Sequence, residues 1–496
     1  MTGTPGVADA LRDEPPGSAG VLVVGGGLAG LTVASSLARR GVTDIVVLES
    51  GPAAGTTHYR WDQTVPQAQR TWLEPESDRH HWRPWTSTHG NYSGVASLRR
   101  RVGGRSLYWH GVTLPVEPWA LRAPDWPAPV VRDLTTAWDG GAPLYARVTD
   151  ELTRWTGGES LRAGGELKLG DRVLRGTPLA VRRGTAPGRY RAFTPLHYWE
   201  DADVRRAASI VPSCHVVEVL TGAGGTTGAR VVHGGTPRTV RSGTVVLAGG
   251  TVENSRLAIQ AMRPAGLLDA PRLPGLVDKI AHGFTAVLDP ARLDPEIAGH
   301  ARAGAFLTAP GPPSLRSNLF LSLRTNARDA AVLDVWLMGE QTPAMASGVR
   351  CRADGAVPWP TVIDAVLSPP DRDLIRLQQD ELQLIWRDFR ARNALTGAPL
   401  EFDPGYGGGD LARTLLDADT TPAGSPPVTY SFPLGSEQHE ASTIPLGSVL
   451  DERHEFAGLP GLFAAGPSTF PRTGAANPSL TTFALAHRLA ALLADG

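Results

Sequence analysis

Lysine and cysteine are the scarce residues of this 496-residue chain, which has two of each: Lys168 and Lys279, Cys214 and Cys351. Two isolated cysteines offer neither the paired spacing of a metal knuckle nor a disulfide framework, so no metal site is expected. The same scarcity fits a reducing, cytoplasmic compartment. All but two of the 48 basic residues are arginine, and with 57 glycines and 42 prolines this reads as the codon bias of a GC-rich bacterial genome. Basic and acidic residues balance, 48 against 49, for a formal charge of -1, so no bulk field gathers nucleic acid or anionic lipid. Long apolar runs are missing too. The most apolar early stretch, 21–38, is interrupted by glycines and too short to cross a bilayer. Residues 1–19 carry Asp9, Arg12, Asp13, Glu14 and a Pro15-Pro16 pair without the basic-then-apolar order of a signal peptide, and read as a disordered polar leader. What remains is ordinary globular usage, 41% hydrophobic and 20% charged, long enough for two to four domains at about 100–200 residues each.

Chemistry begins with Val21-Leu22-Val23-Val24, a β-branched run that reads as a buried parallel strand. It leads into Gly25-Gly26-Gly27-Leu28-Ala29-Gly30, a segment of helical spacing to Arg40, and a second strand, Ile45-Val46-Val47-Leu48, that ends in Glu49-Ser50. This is the order of a dinucleotide site. Gly25 permits a tight turn, Gly27 lets the backbone approach a pyrophosphate, and Gly30 lets helix and strand pack closely. The helix start at Leu28 and Ala29 faces the phosphates, and Glu49 accepts the ribose hydroxyls with Ser50 beside it. The motif itself serves FAD or NAD.

Four further segments, in order along the chain, resemble the glucose-methanol-choline (GMC) family of flavin-dependent oxidoreductases. Residues 101–111, RVGGRSLYWHG, resemble the glycine loop that lies along the flavin, with Gly103, Gly104 and Ser106 as contacts. Residues 244–255, TVVLAGGTVENS, resemble the strand and turn closing on the dinucleotide, with Gly249. Residues 439–447, HEASTIPLG, resemble the H-x-x-x-T-x-x-[ML]-G segment, with Glu440, Ala441 and Ser442 in place of the more usual Pro and Gly. Residues 461–490 resemble the C-terminal strand, flavin loop and closing helix, with Gly466, Pro478 and Thr481. A backbone near Val216–Val217 meets the adenine in that family, and Val217 is taken for this role.

The resemblance implies a mixed α/β fold: a Rossmann-like FAD-binding domain and a substrate domain built on an antiparallel sheet backed by helices. The FAD domain takes residues 20–114, 205–282 and 450–496, and the substrate domain 115–204 and 283–449. It implies a catalytic pair, His439 and Asn477. An imidazole near its ordinary pKa accepts the alcohol proton while hydride leaves for flavin N5. An amide orients the same oxygen without titrating, and Asn477-Pro478 also suits a helix cap. The glycine loop is most like that of pyranose oxidases, where a Thr-His pair tethers the flavin. Leu107 and Tyr108 stand there in this chain, so FAD is expected without a covalent link, with His110 as the rival tether. Ten of 13 tryptophans fall between Trp61 and Trp199, and Trp82, Trp85, Trp109 and Trp119 are candidate stacking faces for a sugar. Trp109 and His110 are taken as substrate contacts, with polar groups from 87–92 nearby. The expected activity is oxidation of a sugar, glycoside or cyclitol hydroxyl to a carbonyl, with O2 or another acceptor. An apolar, sterol-like alcohol and a redox-inactive FAD scaffold are the alternatives.

Overall fold

The computed structural model describes residues 6–496 other than 64, 89, 91, 93–95, 158–164, 186–188 and 408–410. His89 and Asn91, part of the polar group expected near the tryptophans, lie outside the described residues.

Five short strands form a parallel sheet in the order Ala208–Val211, Ile45–Leu48, Val21–Val24, Val245–Leu247, Leu462–Ala464. All but Val21 and Phe463 of the last four are fully buried, as β-branched runs covered on both faces should be. Helices Leu28–Arg39 and Ser479–Ala494 share one apolar core with this sheet. The order splits the nucleotide domain into pieces far apart in sequence. The strand before the glycines sits at the centre, so the glycine turn opens at the carboxyl ends of its neighbours, where α/β sheets bind ligands. An antiparallel three-stranded sheet, Cys214–Gly222, Gly225–His233 and Thr236–Arg241, confirms the expected hairpin.

The second domain is a seven-stranded sheet with Lys279–Leu288, Ala331–Glu340 and Ser317–Thr325 at its heart, antiparallel throughout. Helices Pro295–Ala303 and Pro369–Arg392 bury Ile297, Leu382, Ile385 and Phe389 against it. The long helix begins with a capping box: Asp371 N donates to Ser368 Oγ, and Ser368 N donates to Asp371 Oδ2 at 2.8 Å. No helix among the described residues is long and apolar enough to cross a membrane.

Three boundaries differ from expectation. Residues 7–19 are ordered: Val7, Ala10 and Ala19 are buried, and Arg12 N donates to Ile210 O at 2.9 Å. Ala208–Val211 is an edge strand, and the leader covers its otherwise open polar edge. The substrate-domain sheet starts at Lys279, inside the stretch assigned to the nucleotide domain. Within 115–204, Leu144, Val148 and Leu152 pack into the nucleotide-domain core, because their helix lies against the closing helix.

Candidate active site

Gly25 has φ of 109°, a conformation that side chains resist, and a Cβ there would lie 2.5 Å from the Ala248 carbonyl oxygen. A Cβ on Gly30 would lie 2.0 Å from the Gly25 oxygen, so only glycine lets this helix meet its strand. Gly27 has open space beside it, and the helix it starts has no side-chain cap. The first-turn N–H groups therefore face a cleft, an arrangement suited to phosphate. At the end of the second strand, Glu49 Oε2 accepts from Gly26 N at 2.9 Å and Oε1 from Gly51 N at 2.7 Å. Burial pushes the Glu49 carboxyl up to about 7, against the pull of these N–H groups.

One cleft, with ≈ 1390 Å³ of atom-free space out to its mouth, gathers most of the expected residues. Gly25, Gly27, Leu28, Ala29, Glu49, Ser50, Gly104, Ser106, Gly249, Gly466 and Pro478 line it together with Trp109 and His439. The 439–447 segment reaches this place by running alongside the turn after the last strand: Ile444 N donates to Ser468 O at 2.8 Å and Leu446 N to Thr469 O at 3.0 Å. His439 and Asn477 thereby meet, with Asn477 Nδ2 3.4 Å from His439 Nε2. His439 Nδ1 and Asn477 Oδ1 are buried and make no hydrogen bond in the structure. Burial, and then the charges of Lys279 and Arg105 and the ring of His110, hold the imidazole well below its ordinary pKa. Arg105 braces the segment from below, with Nη1 2.6 Å from Glu440 Oε2, Nη2 3.0 Å from Oε1, and Nη1 3.0 Å from Gln438 O.

Several expected contacts are absent from the cleft wall. Val217 is replaced there by Val216, and its carbonyl accepts from Arg256 at 3.0 Å. Thr481 Oγ1 pairs with Tyr145 Oη at 2.8 Å, and Thr482, one step around the helix, lines the cleft instead. Asn477 does not cap the closing helix, whose cap position is Pro478. Gly103 and Gly30 shape the wall from behind. His110 is held off the cleft by Tyr59 Oη at 3.0 Å and held down at about 3 by burial, then by Arg60 and His58. Of the four tryptophans, Trp82 and Trp109 line the cleft, joined by Trp72, whereas Trp85 packs in a small sheet and Trp119 against Arg472.

Residues 23–86 match a family model described as NAD(P)-binding Rossmann-like domain, and residues 407–486 match the model described as GMC oxidoreductase, the stretch that carries both His439 and Asn477. The C-terminal part of the chain is thus a GMC oxidoreductase domain. The chain is an FAD-dependent oxidoreductase. Similar solved structures include pyridoxine 4-oxidase from Mesorbium loti, at 17% identity and TM-score 0.62, covering 96% of this chain and 99% of that one. A variant formate oxidase of Aspergillus oryzae RIB40, studied for its FAD modification, aligns at 14% identity and TM-score 0.63, covering 97% and 98%. No protein of curated function matches.

The cleft is well suited to FAD: an uncapped helix start, a gap beside Gly27 and two partnerless polar atoms all face or adjoin it. Gly30→Ala should part helix from strand, costing about 1–3 kcal/mol as overpacked sites do. Its flavin content, read from visible absorbance per protein, is expected to fall. Wild-type flavin content and melting temperature would show that the contact relaxes without disturbing the cleft. Sequence reading missed Arg105, Asp278, Lys279 and Glu437. Arg105 and Glu440 stand inside quoted motifs, but only the fold pairs them.

Proposed function

We propose that this enzyme holds FAD without a covalent link and oxidises an alcohol CH–OH group of a polyol or sugar, with His439 accepting the hydroxyl proton. The observation that carries this reading is the side-by-side placement of His439 Nε2 and Asn477 Nδ2, 3.4 Å apart, with a free acceptor or donor left on each side chain. FAD, when bound, supplies the hydride acceptor. Gly25 to Ala29, Glu49 and Ser50 would hold its nucleotide half, with Gly104, Ser106, Gly249, Gly466 and Pro478 along the rest.

The protein's own groups then divide the work. A buried imidazole held below its ordinary pKa is uncharged at neutral pH and open to a proton. The Asn477 amide binds the same oxygen from the side and fixes its lone pairs toward His439. Glu437 and Gln438 line the cleft just before His439. Burial, and next the charge of Asp278, push the Glu437 carboxyl up to about 8, so near pH 7 it keeps its proton and both donates and accepts hydrogen bonds. That suits a hydroxyl-rich substrate lying against Trp109. The apolar stretch of wall formed by Leu98, Trp72 and Tyr108 favours an apolar alcohol as the second reading. O2 or another small acceptor takes the electrons.

Tyr108 stands at the tether position with its phenol accepting from Arg101 Nη1 at 3.0 Å, and His110 does not line the cleft. Acid precipitation should accordingly release the flavin into the supernatant; yellow colour kept in the pellet would mean a covalent bond. Anaerobic mixing with D-glucose, myo-inositol and benzyl alcohol tests the chemistry. Bleaching by a polyol supports the main reading, bleaching by benzyl alcohol alone supports the second, and a flavin that none of a wider alcohol panel reduces leaves the scaffold.

A further inference from the structure

Lys279 is one of two lysines in a chain that otherwise uses arginine, and it is 1% exposed. Lys168, by contrast, is on the solvent side of a peripheral strand. A buried ammonium is costly unless it is paired and hydrogen-bonded. Lys279 Nζ donates to Gly474 O at 2.6 Å and reaches Thr473 O at 3.5 Å, three and four residues before Asn477. The same turn is gripped from two other elements: Glu340 Oε1 accepts from Gly474 N at 3.0 Å, and Glu117 Oε2 accepts from Ala475 N at 2.8 Å. Asp278, the preceding residue, points the other way. Its Oδ1 accepts from His439 N at 2.9 Å and its Oδ2 from Gly435 N at 2.5 Å. Alternation at the head of a strand thus sends consecutive side chains to the two loops that bear the reacting pair.

We propose that Lys279 is a positioning residue that couples His439 to Asn477: its ammonium seats the turn leading into Asn477, while Asp278 beside it fixes the His439 backbone. This rests on the reading of His439 as the proton acceptor. Lys279 also acts on His439 through space. The charged and titratable groups facing His439 are Lys279, Arg105 and His110, all of which disfavour its protonated form. Burial pulls the Lys279 ammonium below its ordinary pKa, and the facing carboxyls of Glu117, Glu340, Asp278 and Glu437 oppose that pull. Arginine, with a wide planar fork of five N–H donors, offers no single compact donor for a carbonyl turn at this depth, which accounts for a lysine here.

The test uses FAD-loaded protein labelled with ¹⁵N-histidine, with His439→Ala assigning the imidazole signal. Lys279→Gln keeps a donor toward Gly474 O but removes the charge. The His439 titration is expected to move up by at least about one pH unit in Lys279→Gln, about tenfold in proton affinity. Lys279→Met removes donor and charge together. Its anaerobic bleaching by the alcohol that reduces wild type fastest should fall at least about tenfold, with Lys279→Gln recovering part of that loss. A His439 titration unchanged in Lys279→Gln overturns the proposal, as does bleaching by Lys279→Met within about twofold of wild type. If Lys279→Met does not fold, Lys279→Gln decides by the titration. If no alcohol bleaches wild type, the proposed function fails, and the NMR titration still judges Lys279 on its own.

Discussion

His439→Ala slows anaerobic reduction of the bound flavin by at least about 10²-fold, the lower range for loss of a general base, and leaves flavin content unchanged. Flavin content is spared because the dinucleotide cradle is built from the glycine turn and Glu49, to which the His439 side chain contributes nothing. Asn477→Ala should cost less, roughly tenfold, since an amide that only orients the oxygen leaves the proton acceptor in place. The pH dependence follows from the same burial. The base works when unprotonated, and His439 is held well below its ordinary value of 6.5, so bleaching should stay level as pH falls through 6.5 and decline only further down. Wild-type rates in His439→Ala would remove the base assignment. A decline centred near 6.5 would mean that the loaded site exposes the imidazole to water.

The glycine turn, the order of the motifs and the alternation of the 305–337 strands were legible because each is local: a backbone conformation, a period of two, a run of β-branched residues. The errors in the site arise where phase is lost. Val216 pairs with Val231 and Glu218 with Arg230, so one extra residue, Val217, bulges and leaves Val216 as the residue that lines the cleft. Thr481 and Thr482 differ by about 100° around a helix, and the helix start at Ser479 decides which of them faces in. The leader is polar by composition, yet its three small apolar residues suffice once an edge strand is available to cover. Asp278 and Lys279 were invisible for another reason. Their partners lie about 160 and 195 residues away, and no local pattern marks a residue that works by holding a distant turn. Lysine scarcity read as codon bias was the one available signal, since a bias that strong makes a retained buried lysine informative.

Glu440→Ala is expected to destabilise the protein by about 1–3 kcal/mol, less than for a fully buried ion pair because the Arg105 side chain keeps 28% of its surface exposed. Glu440 is deeply buried, and its carboxylate takes both ends of the Arg105 guanidinium and the Tyr92 hydroxyl at 3.4 Å. Removing it strands a cation beside the cleft and the His439 segment. Arg105 also donates through Nε to Ser97 O at 3.1 Å, so the glycine loop and the histidine segment share this one guanidinium. Glu440→Gln keeps the shape and one acceptor and should lose less. The double variant Arg105→Met/Glu440→Met separates charge from packing: desolvation no longer has to be offset, so stability should recover most of what Glu440→Ala lost. Bleaching should stay below wild type in the double variant, because the Gln438 carbonyl then lacks the Arg105 donor that fixes the chain just before His439. Melting temperatures of the three variants, compared with their bleaching rates, check both halves. If the double variant reduces its flavin as fast as wild type, the pair serves the fold alone and His439 is placed by Asp278 and the neighbouring backbone without it.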